Sequence, residues 1–216
     1  MKHQIAPSIL NADFLRLADV ITMLNRSEAD LIHLDIMDGV FVPNLSFGFP
    51  IISQINEMAE KPLDVHLMIT EPDRYLERFR DAGADLLTVH YEACPDLQST
   101  LKKISALGMK ASVSLKPGTE VSVLQPYLPN LDMVLIMTVE PGYGGQSFME
   151  ESYGRVQQLR DMIRRAGVPT VIEVDGGIGR HNLHDLKDAG ASVFVIGTSI
   201  FRADDPAAMI SELKQM

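Results

Sequence analysis

Short apolar runs rich in β-formers recur along the chain, and stretches with helical spacing lie between them. The runs fall at 4–9 (QIAPSI), 31–36 (LIHLDI), 63–68 (LDVHLM), 85–90 (DLLTVH), 110–115 (KASVSL), 133–139 (MVLIMTV), 170–175 (TVIEVD) and 192–197 (SVFVIG). Between them, Phe14, Leu17, Ala18, Ile21 and Leu24, and later Val156, Leu159, Met162 and Ile163, repeat with the period of one helix face. The wording "DAGADLLTV" at 81–89 returns as "DAGASVFVI" at 188–196. In both, a glycine (Gly83, Gly190) stands after a helix end and before a strand, as a C-cap residue does.

Strands alternating with helices imply a parallel sheet with right-handed crossovers. Eight such units in 216 residues predict a (β/α)8 TIM barrel. An open, doubly wound nucleotide-binding sheet would carry a GxGxxG turn after the first strand, and that turn here is Pro7-Ser8-Ile9-Leu10-Asn11. No Pro/Gly/Ser-rich linker interrupts the pattern, so residues 1–216 are expected to form one domain.

Composition narrows the function classes. Hydrophobic residues make up 46% and charged residues 22%, ordinary values for a globular protein. The formal net charge of −10 argues against nucleic-acid and membrane-surface binding, and it means that an anionic substrate would need a local site. Cys94 is the single cysteine, so no intramolecular disulfide forms. Met1-Lys2-His3-Gln4 runs directly into the first apolar segment and no apolar run reaches ~18 residues, so neither a signal peptide nor a membrane span is expected. A cytoplasmic location is expected.

In a barrel of this kind the chemistry sits at the C-terminal ends of the strands. His33 and Asp35 are two apart on one strand and leave it on the same face, His66 lies on the next strand, and Asp175 ends the seventh. Two imidazoles and two carboxylates suit one divalent cation: zinc, iron, cobalt or manganese. Singly, each is as well explained by core hydrogen bonding or helix capping; the case rests on all four. Asp64, in phase with His66, and His90, at the end of strand four, read first as structural, with Asp64 orienting an imidazole as the alternative.

Glycine turns occupy the ends of strands six, seven and eight: Pro141-Gly142-Tyr143-Gly144-Gly145-Gln146, Asp175-Gly176-Gly177 and Gly197-Thr198-Ser199. Barrel enzymes often hold phosphate there, and backbone N–H groups bind an anion without any cationic side chain. The longer loop after strand six has the length to close over a substrate. Met37, Met68 and Met137 near strand ends read as gap-filling core or as an aprotic wall around a reacting carbon.

Together the segments "APSILNADF" (6–14), "HLDIMDGVFVPNLSFG" (33–48), "PLDVHLM" (62–68), "GADLLTVHYEA" (83–93), "LKPGT" (115–119), "MTVEPGYGGQSFM" (137–149), "EVDGGI" (173–178) and "GTSIF" (197–201) resemble the ribulose-phosphate 3-epimerase family. The resemblance implies an isomerase of the pentose-phosphate pathway that interconverts D-ribulose 5-phosphate and D-xylulose 5-phosphate. It further implies a divalent metal on His33, Asp35, His66 and Asp175, and acid/base catalysis by Asp35 and Asp175. Substrate contacts would fall on Ser8, His66, Gly142, Tyr143, Gly144, Gly145, Asp175, Gly176, Gly177, Gly197 and Thr198. Tyr143 and Thr198 depart from the commoner Phe and Ser. The expected partner is a small pentulose phosphate, and association into a homo-oligomer is expected.

Inverting a carbon α to a ketone needs a proton removed from one face and another delivered to the opposite face, which two carboxylates on different sides provide. Both are also expected metal ligands, so their proton affinities must be coupled. The same chemistry on a hexulose, by an allulose-6-phosphate 3-epimerase, is the nearest alternative. A decarboxylase on this fold would carry Asp-x-Lys-x-x-Asp at a strand end, whereas Asp185-Leu186-Lys187 lies in a predicted helix. A non-catalytic phosphosugar binder would need the glycine turns but not both aspartates.

Overall fold

The computed structural model describes residues 3–216; Met1 and Lys2, the head of the N-terminal run read above, lie outside the described residues. Strands β1 (Gln4–Pro7), β2 (Ile32–Met37), β3 (Leu63–Met68), β4 (Leu86–His90), β5 (Lys110–Leu115), β6 (Met133–Met137), β7 (Val171–Asp175) and β8 (Val193–Ile196) form one parallel sheet. Each pairs with its successor from β2 to β8, β8 pairs with β1, and a bridge between Ser8 and His33 joins β1 to β2. Around the strands run α1 (Leu17–Arg26), α2 (Phe49–Met58), α3 (Leu76–Asp81), α4 (Leu97–Ala106), α5 (Ser152–Ala166), α6 (Leu183–Ala189), α7 (Thr198–Phe201) and α8 (Pro206–Gln215). This is the (β/α)8 barrel that the alternation of patterns predicts.

The repeat breaks once. Between β5 and β6 the described residues form 3-10 turns at Val121–Leu124 and Leu128–Asn130 in place of an α-helix. Pro117, Pro126 and Pro129 account for this, because proline lacks an N–H and bars the preceding residue from helical geometry. The helical spacing that begins at Phe14 starts as a 3-10 turn, Phe14–Arg16, whose Leu15 N–H is accepted by the Asp13 side chain at 3.0 Å. β1 and β6 stop short of the apolar runs that predict them, at Pro7 and Met137. Beyond these points the chain turns into the mouth of the barrel. Gly83 and Gly190 both follow helix ends with positive φ, as their repeated wording predicts.

Period-two alternation sorts each strand into two faces. Outward residues such as Leu34, Val65, Val89, Val113, Ile136, Val174 and Phe194 pack against Ile21, Leu24, Ile55, Phe79, Leu101 and Leu159 of the helices. Inward residues are apolar at the N-terminal end, where Ala6, Leu86, Met133, Val193 and Val195 fill the floor with Leu31. Aspartates fix the register there. Asp30, Asp85 and Asp132, each just before an even-numbered strand, accept the N–H of Ile5, Leu63 and Ala111 at 2.8 Å. Above the apolar floor the interior turns polar, and that change of character locates the site. No helix is long and apolar enough to cross a membrane among the described residues.

Candidate active site

His33 and Asp35 leave β2 toward the barrel axis, and His66 stands directly opposite Asp35 across the β2–β3 pairing. Asp35 is the hub. Its Oδ1 lies 3.3 Å from His33 Nε2 and 3.1 Å from His66 Nδ1, and its Oδ2 accepts the Ser8 hydroxyl at 2.7 Å. Asp175 closes the group from the end of β7, held there because Thr138 donates both its N–H and its hydroxyl to the Asp175 carbonyl at 2.8 Å. One donor atom from each of His33, Asp35, His66 and Asp175 lies within 4.8 Å of the others. The His33 ring is oriented from behind, where its Nδ1 lies 2.6 Å from Asp64 Oδ2. Asp64 thus serves the imidazole of the neighbouring strand rather than His66 on its own. Two nitrogens and two carboxylates converging on one point, with one ring fixed by a carboxylate, fit a borderline divalent cation.

The charges in this group are strongly coupled. Burial works to raise the Asp35 carboxyl, but the charge and hydrogen bond of His33, helped by His66, hold it well below the usual carboxylate range. Burial would lower His33, yet the carboxylates of Asp64 and Asp35 outweigh it and raise the imidazole well above its usual value. His66 is lowered, chiefly by burial. Asp175 goes the other way: burial, reinforced by the negative charge of Asp35, pushes it up to about 7. The two aspartates therefore part in proton affinity, one ionised and the other able to carry a proton near neutrality.

Below this layer the sequence reading missed Glu173. It is fully buried, 4.0 Å from His33 Nδ1, and raised well above its usual value by burial and by Asp64. The rule that paired His33 with Asp35 finds it, since Glu173 lies two residues before Asp175 on β7 and shares its inward face.

Above the group opens a cavity of about 420 Å³, lined at its base by Ser8, Asp35 and Asp175 and at its walls by Met37, Met68 and Met137. His33 and His66 lie fully buried beneath it. All three glycine turns reach this cavity, bringing Gly142 to Gly145, Gly176, Gly177, Gly197 and Thr198 to its far end. Gly177 is required by both shape and space. Its φ is +65°, and a Cβ there would stand 2.6 Å from the backbone nitrogen of Phe148. At Gly197 a Cβ would stand 2.2 Å from Asn11 Oδ1, so a larger residue there would have to displace the Asn11 side chain. Asn11, absent from the sequence-based residue set, lies between the turns after β6 and β8, and its place between two glycines on distant strands leaves no local signal. Across the top, Asn44 Nδ2 donates to the Gly142 carbonyl at 2.8 Å and ties the loop after β2 to the loop after β6. Among the described residues no lysine or arginine lines the cavity; beside the glycine turns stand Thr198, Ser199, Asn11 and His181.

Comparison with known proteins agrees with this geometry. Residues 4–201 match the ribulose-phosphate 3 epimerase family. The chain is 43% identical over 212 residues to ribulose-phosphate 3-epimerase of Bacillus subtilis (strain 168), spanning 98% of both. It is 45% identical to the enzyme of that name from Synechocystis sp., over 97% of this chain and 92% of the relative. Among solved structures, KGPDC from Streptococcus mutans superposes with a TM-score of 0.74 at 16% identity, covering 100% of this chain and 97% of the other. A 3-hexulose-6-phosphate synthase superposes at 0.69 with 22% identity, covering 100% and 99%. Those two likenesses speak to the barrel alone, whereas the family match and the full-length relatives speak to the chemistry: the chain belongs to the ribulose-phosphate 3-epimerase family and is an isomerase acting on carbohydrate.

Proposed function

We propose that the chain interconverts D-ribulose 5-phosphate and D-xylulose 5-phosphate by moving protons at C3 between Asp35 and Asp175. The observation that carries this reading is the convergence of two carboxylates, from β2 and β7, on the base of one cavity in a chain of this family. In one direction ionised Asp35 takes the C3 proton and protonated Asp175 delivers its own to the opposite face. In the reverse direction the roles exchange; before another turnover in the same direction Asp35 gives its proton to solvent and Asp175 takes one up, which restores the pair. A divalent cation held by His33, Asp35, His66 and Asp175 would supply electrostatic stabilisation of the negative charge developing on the substrate oxygens. Ser8 holds Asp35 Oδ2 in place through a 2.7 Å hydrogen bond. Met37, Met68 and Met137 surround the reacting carbon with thioethers, which have no proton to give an enediolate. Gly142 to Gly145, Gly176, Gly177, Gly197 and Thr198 would take the phosphate on backbone N–H groups.

The test is turnover in deuterated buffer on D-ribulose 5-phosphate and D-allulose 6-phosphate, with metal analysis of the same sample. The expected result is deuterium at C3 and faster turnover of the pentulose. Unlabelled product would overturn the proton-transfer reading, and faster turnover of the hexulose would overturn the substrate.

A further inference from the structure

Behind His66 a chain of polar contacts runs outward through groups the proposed mechanism does not use. His66 Nε2 lies 2.9 Å from His90 Nε2, and His90 Nδ1 lies 3.2 Å from Glu92 Oε2. His90 is fully buried, its ring 5.0 Å from that of His66 and 4.8 Å from that of Phe41. Glu92, with its side chain 22% exposed, is clamped from the far side. Its Oε1 accepts the backbone N–H of Lys116 at 2.9 Å and also the Thr119 hydroxyl.

Hydrogen-bond direction along this chain follows from counting protons. A carboxylate oxygen only accepts, and a neutral imidazole carries one N–H and one lone pair. Glu92 Oε2 therefore asks for the proton on His90 Nδ1, which leaves a lone pair on His90 Nε2. That lone pair asks for the proton on His66 Nε2. The nitrogen left bare is His66 Nδ1, the one that faces Asp35 and the cluster. Were His66 Nδ1 also to donate to Asp35, three contacts would need three protons, and two neutral rings carry two. The chain is satisfied by two neutral rings when a cation takes the His66 Nδ1 lone pair.

We propose that His90 and Glu92 are positioning residues that hold His66 in the tautomer whose Nδ1 binds a divalent cation. The inference rests on the metal reading above and adds to it the outer partners of one ligand. It also explains why the β5 loop, through Lys116 and Thr119, reaches across to a glutamate after β4.

Two substitutions separate positioning from packing, with zinc as the probe. In Glu92→Gln the side-chain carbonyl is claimed by two donors, Lys116 N–H and the Thr119 hydroxyl, so the amide NH₂ turns to His90 Nδ1. The chain then reverses and places the proton on His66 Nδ1, against the cation. Zinc affinity should fall about 10–100-fold. Glu92→Ala imposes no direction, and its affinity should fall less than that of Glu92→Gln. A packing role demands the opposite order, because alanine removes more of the side chain. Nitrogen-15 NMR of the zinc-loaded chain should show His66 protonated at Nε2. Equal affinities, a larger loss in Glu92→Ala, or a proton on His66 Nδ1 in the zinc-loaded parent would each overturn the proposal. If Glu92→Gln does not fold, as circular dichroism would show, the parent tautomer decides alone. A parent chain that takes up no zinc would instead overturn the metal reading, and this inference with it.

Discussion

The β2–β4 side of the mouth and the β6–β8 side are built from different materials. On the first, side chains do the work: His33, Asp35, Asp64, His66 and His90 are buried and bonded to one another across adjacent strands. On the second, backbone does it: Gly142 to Gly145, Gly176, Gly177 and Gly197 present peptide groups to the same cavity. On the proposed function, the difference follows from what each side would hold. A small cation needs a few strong donors at fixed separations, whereas a bulky dianion is met by many weak fixed dipoles. On the proposed function it would also let a chain of net charge −10 take an anionic substrate without a lysine or arginine in the lining among the described residues. Asp175 crosses that division: it is a carboxylate on the glycine side that joins the cluster, and burial pushes its proton affinity up.

The comparison breaks most sharply at that residue. Asp175→Asn should lower kcat by about 10²–10⁴-fold, the range for a lost general acid, with the fold intact by circular dichroism. Near-normal turnover would remove Asp175 from the proton pair.

On the backbone side, Gly177→Ala should cost about 1–3 kcal/mol, because φ of +65° and the Phe148 backbone both oppose a Cβ. A urea midpoint gives the loss, and KM for the phosphate ester should rise with it. An unchanged KM would separate Gly177 from phosphate binding.

The two aspartates should also differ in what they contribute to stability. In protein stripped of metal by chelation, a carboxyl pushed up to about 7 contributes stability that is full below its unfolded value, ~3.9, and lost as pH rises through 7. Asp175→Asn removes that loss, so the chelated variant should be more stable than its parent at pH 8 by roughly 1–3 kcal/mol, with the advantage gone by pH 4. Asp35 is depressed, so its stability is present above ~3.9 and lost as pH falls, and Asp35→Asn should carry no such advantage at pH 8. Melting curves at both pH values decide. The smallest effect is expected where the two sides touch. Asn44→Ala removes one hydrogen bond to Gly142 and should raise KM about 2–10-fold with kcat little changed.

Much of this was legible in the sequence because it is local. Strand parity brings His33 beside Asp35, and the repeated "DAGA" wording places two strand starts. The glycine runs mark their own turns. What stayed hidden depends on which strands meet. Asn11 matters because β1 and β8 are neighbours, with the loop after β6 lying over both. Asp64 serves His33 because β2 and β3 pair in register, so which imidazole it orients is decided by that pairing. Glu92 carries no signal of its own in the sequence, since its partners come from the loop after β5. The single missing helix was readable in its prolines once the position of the gap was known.

The seam where β1 meets β2 has a further consequence for how the molecule becomes competent. It is joined by the Ser8–His33 bridge, and Ser8 also holds Asp35. β1 is otherwise paired only with β8, the last strand of the chain. The candidate site therefore lies at the ring's point of closure, where β1 reaches β2 through one bridge and is otherwise held in place by β8 from the far end of the chain. Such distant pairings are slow to form because the intervening chain must first be ordered. Recovery of activity after denaturation should trail recovery of helical signal, making turnover a sensor of ring closure as well as of chemistry.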